Sequence, residues 1–206
     1  MIIQFGRKCK YFFVAIRLSC GIIRIGKGAG AVYKGLELSA AEELVLRELD
    51  GAGAEYVRLT HAAAETMELC RGIGAEYGAA HCKNLLLTDK HGRRFFLLMM
   101  EPEKPYRTSE VSRKLGSTRL SFASEEQLMS VLGLTPGSVS VLGLLNPCAR
   151  AAYREGRLAL AVDGELLKRE RICVHPNINT ATLVMNTGEL FDLLQKEGIV
   201  PVIADI

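Results

Sequence analysis

The chain has 206 residues, 49% apolar and 24% charged, which is enough apolar material for one large domain with a buried core. No uninterrupted apolar run reaches the ~18 residues of a membrane helix, which argues against a membrane role. The six cysteines, at 9, 20, 70, 82, 148 and 173, show no C-x-x-C and no regular spacing. That pattern argues against a structural zinc or disulfide framework and favours a reducing, cytoplasmic compartment.

The net charge of +3 is unevenly spread. Residues 1–35 carry seven Lys or Arg and no acid, whereas residues 36–206 carry 19 basic and 23 acidic side chains, a balance of −4. Nucleic-acid contact by the body of the protein therefore needs a local basic patch. The first 35 residues read as a basic N-terminal extension. Arg17 splits their apolar run, which makes a poor secretory signal. "GKGAG" has no Walker lysine-threonine after it, so it is a weak phosphate loop.

From Ser39 onward the elements are regular. "SAAEELVLRELD" predicts a helix with Ser39 as N-cap and Glu42 closing a capping box. "GAGAEYVRL" predicts a turn and short strand, and "HAAAETMELCRGIG" a second helix. "CKNLLLTDKHGRRFFLLMM" reads as a β-hairpin turning at Asp89–Gly92. "TSEVSRKLG" is a short helix stopped by Gly116, and "TRLSFAS" a short strand. "SEEQLMSVLG" is a helix from a Ser124–Gln127 capping box to Gly133. "TPGSVSVLGLLN" reads as a Gly-rich loop leading into a strand. "RLALAVDGELL", "RICVH" and "ATLVMN" are strands. "TGELFDLLQKEG" is a helix capped at Thr187, and "VPVIADI" a terminal strand. Strands and helices alternate irregularly, with several hairpins, so the expected class is α+β with a mixed sheet.

Three places invite chemistry. Lys83 opens an apolar strand, where a lysine either snorkels to water or holds phosphate or a carbonyl at a pocket mouth. Asn84 beside it is a turn residue or a pocket hydrogen-bond donor. The loop "GLTPGSVSVLGLLN" has three glycines, and at Gly137 bare backbone N–H groups can approach an oxyanion. His175-Pro176-Asn177 ends a strand, with Pro176 holding His175 extended and Asn177, Asn179 and Thr180 adding uncharged donors and acceptors. That group suits a polar ligand or an ordered water. No G-x-S-x-G elbow or Cys-His signature is present. His61, His81 and His91 are scattered without metal-ligand spacing, so neither metal nor other cofactor is expected.

Three segments in order, "CKNLLLTDKHGRRFFLLMM", "KLGSTRLSFASEEQLMSVLGLTPGSVSVLGLLN" and "HPNINTATLVMNTGELFDLLQKEGIVPVIADI", resemble the YbaK / prolyl-tRNA synthetase-associated editing domain family. The similarity is greatest to its free-standing alanyl-tRNA(Pro) deacylase branch, the PrdX or ProX type. It covers roughly 36–206 and is dense from Cys82. The resemblance implies a compact α+β domain with a mixed, partly barrelled sheet flanked by helices. It implies hydrolysis of the ester joining a wrong amino acid to the tRNA 3′ end. A synthetic pocket that fits proline also admits alanine, and small apolar differences supply only ~1–3 kcal/mol of discrimination, so a second hydrolytic sieve is needed.

On this resemblance Lys83 engages the acceptor end or the ester. Gly137 opens the G-x-x-x-P loop that holds the substrate carbonyl, with Ser138 and Val141 of that loop at the substrate. His175, Asn177, Asn179 and Asn84 line the pocket. The tRNA's own 2′-hydroxyl helps activate water. Mischarged tRNA, through its acceptor end, is the implied partner, with prolyl-tRNA synthetase a second one. Alternatives are Cys-tRNA(Pro) or a Ser/Thr-tRNA as substrate, or a non-catalytic module binding tRNA or synthetase. One departure stands out: the loop reads Gly137-Ser138-Val139-Ser140-Val141, with Val in place of the family's proline.

Overall fold

The computed structural model describes residues 38–63 and 72–206, together with the backbone of three short strands nearer the N-terminus. Those strands are β1 (Arg17–Leu18), β2 (Gly21–Ile22) and β3 (Arg24–Gly26). They are followed by α1 (Ala40–Gly51), β4 (Tyr56–Thr60), β5 (Ala80–His81), β6 (Lys83–Thr88) and β7 (Phe95–Met100). Next come α2 (Thr108–Lys114), β8 (Ser121–Phe122), α3 (Glu125–Leu132), α4 (Pro147–Arg154) and β9 (Leu158–Asp163). The chain ends with β10 (Arg171–Val174), β11 (Ala181–Asn186), α5 (Thr187–Lys196) and β12 (Val202–Ala204). The predicted second helix falls largely on residues 64–71, outside the described residues.

The expected α+β class is found: β1 and β2 pair antiparallel by themselves, and the other ten strands divide between two five-stranded mixed sheets, neither closed into a barrel. The first has the order β3-β4-β11-β10-β5 and the second β12-β9-β7-β6-β8. In the first, only the β10–β5 pair is parallel. In the second, β7–β9 and β9–β12 are parallel while β6 pairs antiparallel with β7 and β8. A backbone segment of the basic extension, β3, adds an edge strand beside β4.

The apolar run of β7 explains the layering. All six of its residues are buried, because both faces of this central strand are covered. Phe95, Leu97 and Met99 enter the main core between the sheets, with Leu86, Leu160, Ile172, Val174 and Leu183. Phe96, Leu98 and Met100 enter a second core under Val111 and Leu120. Helices α1, α3 and α5 each bury one stripe in the main core, as their 3.6-residue spacing requires.

Three local expectations are corrected. Ser39 caps α1 by accepting from the Glu42 N–H at 3.2 Å, but the Glu42 carboxylate does not return to Ser39. It is buried against Arg58 instead, with Arg58 Nε 2.6 Å from Glu42 Oε1. The α3 box, between Ser124 and Gln127, is complete. Asn186, not Thr187, is the N-cap of α5, accepting from the Glu189 N–H. The Gly-rich loop does not enter a strand: it passes through a 3-10 turn, Val141–Leu145, into α4. Asn146-Pro147 was the signal for that helix, since proline at the first helical position has a preset φ and lacks only an N–H that would be unused there.

Only Cys82 separates β5, in the first sheet, from β6, in the second. The chain therefore changes sheets beside β10, and the Cys82 thiol lies 3.7 Å from the Cys173 carbonyl. This crossing sets the start of β6 next to the strand that carries His175.

Candidate active site

The site is built where the β10–β11 hairpin meets the loop after α3. The hairpin, residues 175–180, turns with Asn177 in the left-handed region at φ 61°. Asparagine tolerates that conformation better than most side chains. On the other side, Thr135-Pro136-Gly137-Ser138 forms a turn closed by Ser138 N–H donating to Thr135 O at 3.1 Å. Pro136 and Gly137 fill its central positions, and Gly137 has φ +82°. That is the residue pair and the positive φ that a type II turn demands.

Two contacts join loop and hairpin. The Ser140 hydroxyl donates to the His175 carbonyl at 2.6 Å. A Cβ on Gly137 would lie 3.5 Å from Asn179 Nδ2, so the turn rests against that side chain. Ser138 is buried and its hydroxyl is used inside the turn, donating to Thr135 O at 2.8 Å. Among the described residues, no hydrogen bond uses the N–H groups of Gly137, Val139 or Ser140. The loop thus has unused backbone donors in the segment that Ser140 fastens to the His175 backbone, and such donors are suited to holding a carbonyl oxygen as it gains negative charge.

His175 is fixed in one tautomer. Its Nδ1 lies 3.0 Å from the Ala181 carbonyl, which only accepts, so Nδ1 carries the proton and Nε2 is an acceptor. Burial lowers its pKa from the usual 6.5, the Ala181 carbonyl opposes that shift, and His61 and His81 reinforce it. At neutral pH the ring is uncharged, an acceptor rather than a proton donor.

Two of the scattered histidines, His61 and His81, prove to be neighbours of this ring. His61 follows β4, and its N–H donates to Thr180 O at 3.0 Å, extending the strand pairing to the hairpin. Its ring centroid is 6.4 Å from that of His175, with Nε2 3.0 Å from the hydroxyl of buried Thr182. His81 is opposite Cys173 in the parallel β5–β10 pair, and burial lowers its pKa as well. Their sequence separation hid this, because β4, β5 and β10 become neighbours only through sheet order. Among the described residues, no group of three His, Cys, Asp or Glu side chains could hold a metal ion. His91 is exposed in the β6–β7 turn.

Lys83 and Asn84 enter from β6 on alternate faces. Asn84 shares its face with Leu86 of the main core, and its Nδ2 is 3.7 Å from the Cys82 sulfur. Its Oδ1 is buried without a hydrogen-bond partner. Burial pushes the Cys82 thiol up to about 12, so it stays protonated. The Lys83 ammonium donates to the carbonyls of Pro102 and Lys104 in the loop after β7. Burial lowers its pKa, with Glu103 opposing. The Lys104 ammonium in turn pairs with buried Asp163 at 2.8 Å, which pins that loop to the end of β9. The described contacts therefore gather Gly137, Ser140, His175 and Asn179 directly, while Lys83 is tied to the 102–104 loop.

Residues 60–193 match the family model of the aminoacyl-tRNA editing domain. The chain belongs to that family. The matched span contains His61, Lys83, the Gly137 loop and the His175 hairpin. A similar relative is the prolyl-tRNA editing protein ProX of Acetoanaerobium sticklandii, 32% identical over 158 residues, which are 77% of this chain and 93% of that one. Prolyl-tRNA synthetase associated domain-containing protein 1 of Xenopus laevis is 32% identical over 61% of this chain and 73% of its own. The fold matches the crystal structure of a proposed trans-editing enzyme for prolyl tRNA synthetase, with TM-score 0.58, 19% identity, and coverage of 81% of this chain and 97% of that one. The editing domain is an aminoacyl-tRNA deacylase, a hydrolase of the ester between amino acid and tRNA. Among its described residues, no helix is long and apolar enough to cross a membrane.

Val141 stands where the resemblance leads one to expect the proline of G-x-x-x-P, and its surroundings suit a proline. Val141 is the first residue of the 3-10 turn and fully buried. Ser140 before it is extended, φ −142° and ψ 151°, the region that a residue preceding proline must adopt. No described hydrogen bond uses the Val141 N–H. Val141→Pro is therefore expected to leave the unfolding free energy within about 1 kcal/mol of wild type. Denaturant titration checks this, and a larger loss would mean that valine reshaped the loop.

Proposed function

We propose that the editing domain acts in trans on tRNA(Pro) mischarged with alanine. The observation that carries the reading is the meeting of unused backbone donors at Gly137, Val139 and Ser140 with a neutral His175. Residues 36–206 form the editing unit in this reading, and a cytoplasmic location fits its tRNA substrate. The loop donors hold the ester carbonyl oxygen. His175 Nε2 and Asn177 Oδ1 accept from the substrate's α-ammonium and orient the ester. Lys83 with the 102–104 loop sits at the acceptor end.

Water then adds to the carbonyl carbon, with the terminal ribose 2′-hydroxyl assisting removal of its proton. The bond from that carbon to the ribose oxygen breaks, and the oxygen takes a proton. Alanine and tRNA with a free 3′ end result. No side-chain nucleophile is needed, because the substrate brings its own hydroxyl and the loop supplies charge stabilisation.

The test is a panel of radiolabelled Ala-, Cys-, Ser-, Thr- and Pro-tRNA, with Lys83→Ala alongside wild type. Ala-tRNA(Pro) should turn over at least about 100-fold faster than Pro-tRNA(Pro), and Lys83→Ala should act mainly by raising KM. Preferred hydrolysis of the cysteinyl, seryl or threonyl ester would keep the chemistry and change the substrate. Retention of tRNA without hydrolysis of any ester would replace the enzyme reading with a binding module.

A further inference from the structure

We infer that Asn146 is a positioning residue for the editing reaction, acting through Asn177; the inference rests on the deacylase reading above. Asn146 is the N-cap residue of α4, yet its side chain makes no capping hydrogen bond to its own helix. N-cap asparagines ordinarily accept from the first-turn N–H groups. Here the side chain is diverted to the site. Its Nδ2 donates to the Leu132 carbonyl, the last residue of α3, at 2.7 Å. Its Oδ1 accepts from Asn177 Nδ2 at 3.2 Å.

This relay has only one polarity. A backbone carbonyl only accepts, so the end of Asn146 facing Leu132 must be the amide NH2. The other end of Asn146 is then an acceptor, so the end of Asn177 facing it must also be an NH2. Asn177 Oδ1 is the group left over. Asn177 is 3% exposed, and that oxygen is buried without a hydrogen-bond partner. It stands over Gly143, where an added Cβ would come within 3.7 Å of it. An unfilled, buried acceptor invites a donor, and the α-ammonium of the aminoacyl ester is the donor this reaction brings. Turning Asn177 around would set two oxygens face to face at Asn146. Turning Asn146 as well would set its oxygen against the Leu132 carbonyl. The carbonyl at the end of α3 thus dictates, through Asn146, which atom of Asn177 meets the substrate.

The test is a double-mutant cycle, Asn146→Ala, Asn177→Ala and the pair, read as kcat and KM for Ala-tRNA(Pro) hydrolysis, with the unfolding midpoint of each variant. Asn146→Ala should lower kcat/KM about 10-fold in the wild-type background and less than about twofold once Asn177 is alanine. Asn146→Asp keeps the acceptor facing Asn177 while losing the bond to Leu132. It should therefore retain kcat/KM within about threefold of wild type even with a lowered midpoint. Equal losses from Asn146→Ala in both backgrounds, or an Asp variant as impaired as Ala, would overturn the inference. If Asn146→Ala does not fold, Asn146→Ser takes its place in the cycle. A wild type inactive on every misacylated tRNA sinks the deacylase reading, whereas an active wild type with an additive cycle sinks only the role of Asn146.

Discussion

His175→Ala is expected to lower kcat/KM for Ala-tRNA(Pro) by about 100-fold, with the protein still folded. A hydrogen bond to a charged group contributes about 1.5–3 kcal/mol, and each 1.4 kcal/mol is about tenfold in rate. In the proposed mechanism His175 makes such a bond to the α-ammonium of the substrate. The Ala181 carbonyl holds the proton on Nδ1, burial keeps the ring neutral, and Nε2 is left as an acceptor. The same facts set the pH dependence. The folded pKa lies below the usual 6.5, so activity should hold at pH 6.5 and above and fall as the pH drops through the lowered value. Stability follows the same sign: the unfolded chain takes up the proton more readily, so the contribution is complete above 6.5 and lost as the pH falls through the folded pKa. His81 shifts in the same direction and adds to that loss. A His175→Ala variant within twofold of wild type on Ala-tRNA(Pro) would remove the ring from the mechanism.

Local rules read α1, α2, α3, α5 and the hairpin well, because these depend on near neighbours, whereas α4 stands beyond a loop that is expected to lead into a strand. The capping box at Ser124 and Gln127, the hairpin turn at Asp89–Gly92 and the αL glycine at Gly133 are each decided within a few residues. The geometry of the candidate site was legible in parts, since a positive φ at Gly137 and a stiffened strand end at His175 are also local. What stayed hidden depends on sheet order. His61 and His81 become neighbours of His175 only because β4 and β5 share a sheet with β10. Asn146 was hidden for another reason. Its chemistry is a relay between the end of α3 and a hairpin 31 residues further on, and nothing in the local sequence distinguishes it from a plain N-cap. Val141 shows the opposite limit. In the sequence it is a broken motif, while in the structure the residue before it has the extended backbone that a proline needs there.

Glu42 is a residue that local rules assign to a capping box and that the fold uses otherwise, and it carries the largest stability prediction. Glu42 and Arg58 are 1% and 4% exposed. Arg58 holds the carboxylate through Nε and Nη2, each 2.6 Å from Oε1, and turns Nη1 to Thr60 Oγ1 at 2.7 Å. The pair ties α1 to β4 just before the strand reaches His61. Two buried charges gain little over apolar residues as a pair, but removing one leaves the other unpaired in a low-dielectric interior, a loss of about 3–5 kcal/mol. Domains of this kind are stable by only about 5–15 kcal/mol, so Glu42→Ala should unfold at much lower denaturant with an unchanged slope. Glu42→Gln keeps an acceptor for Arg58 and should lose less. The double variant Glu42→Leu with Arg58→Met removes both charges and should recover most of the loss. A Glu42→Ala protein less than about 1 kcal/mol below wild type would mean that water reaches Arg58 and that the pair does not fasten α1 to the sheet.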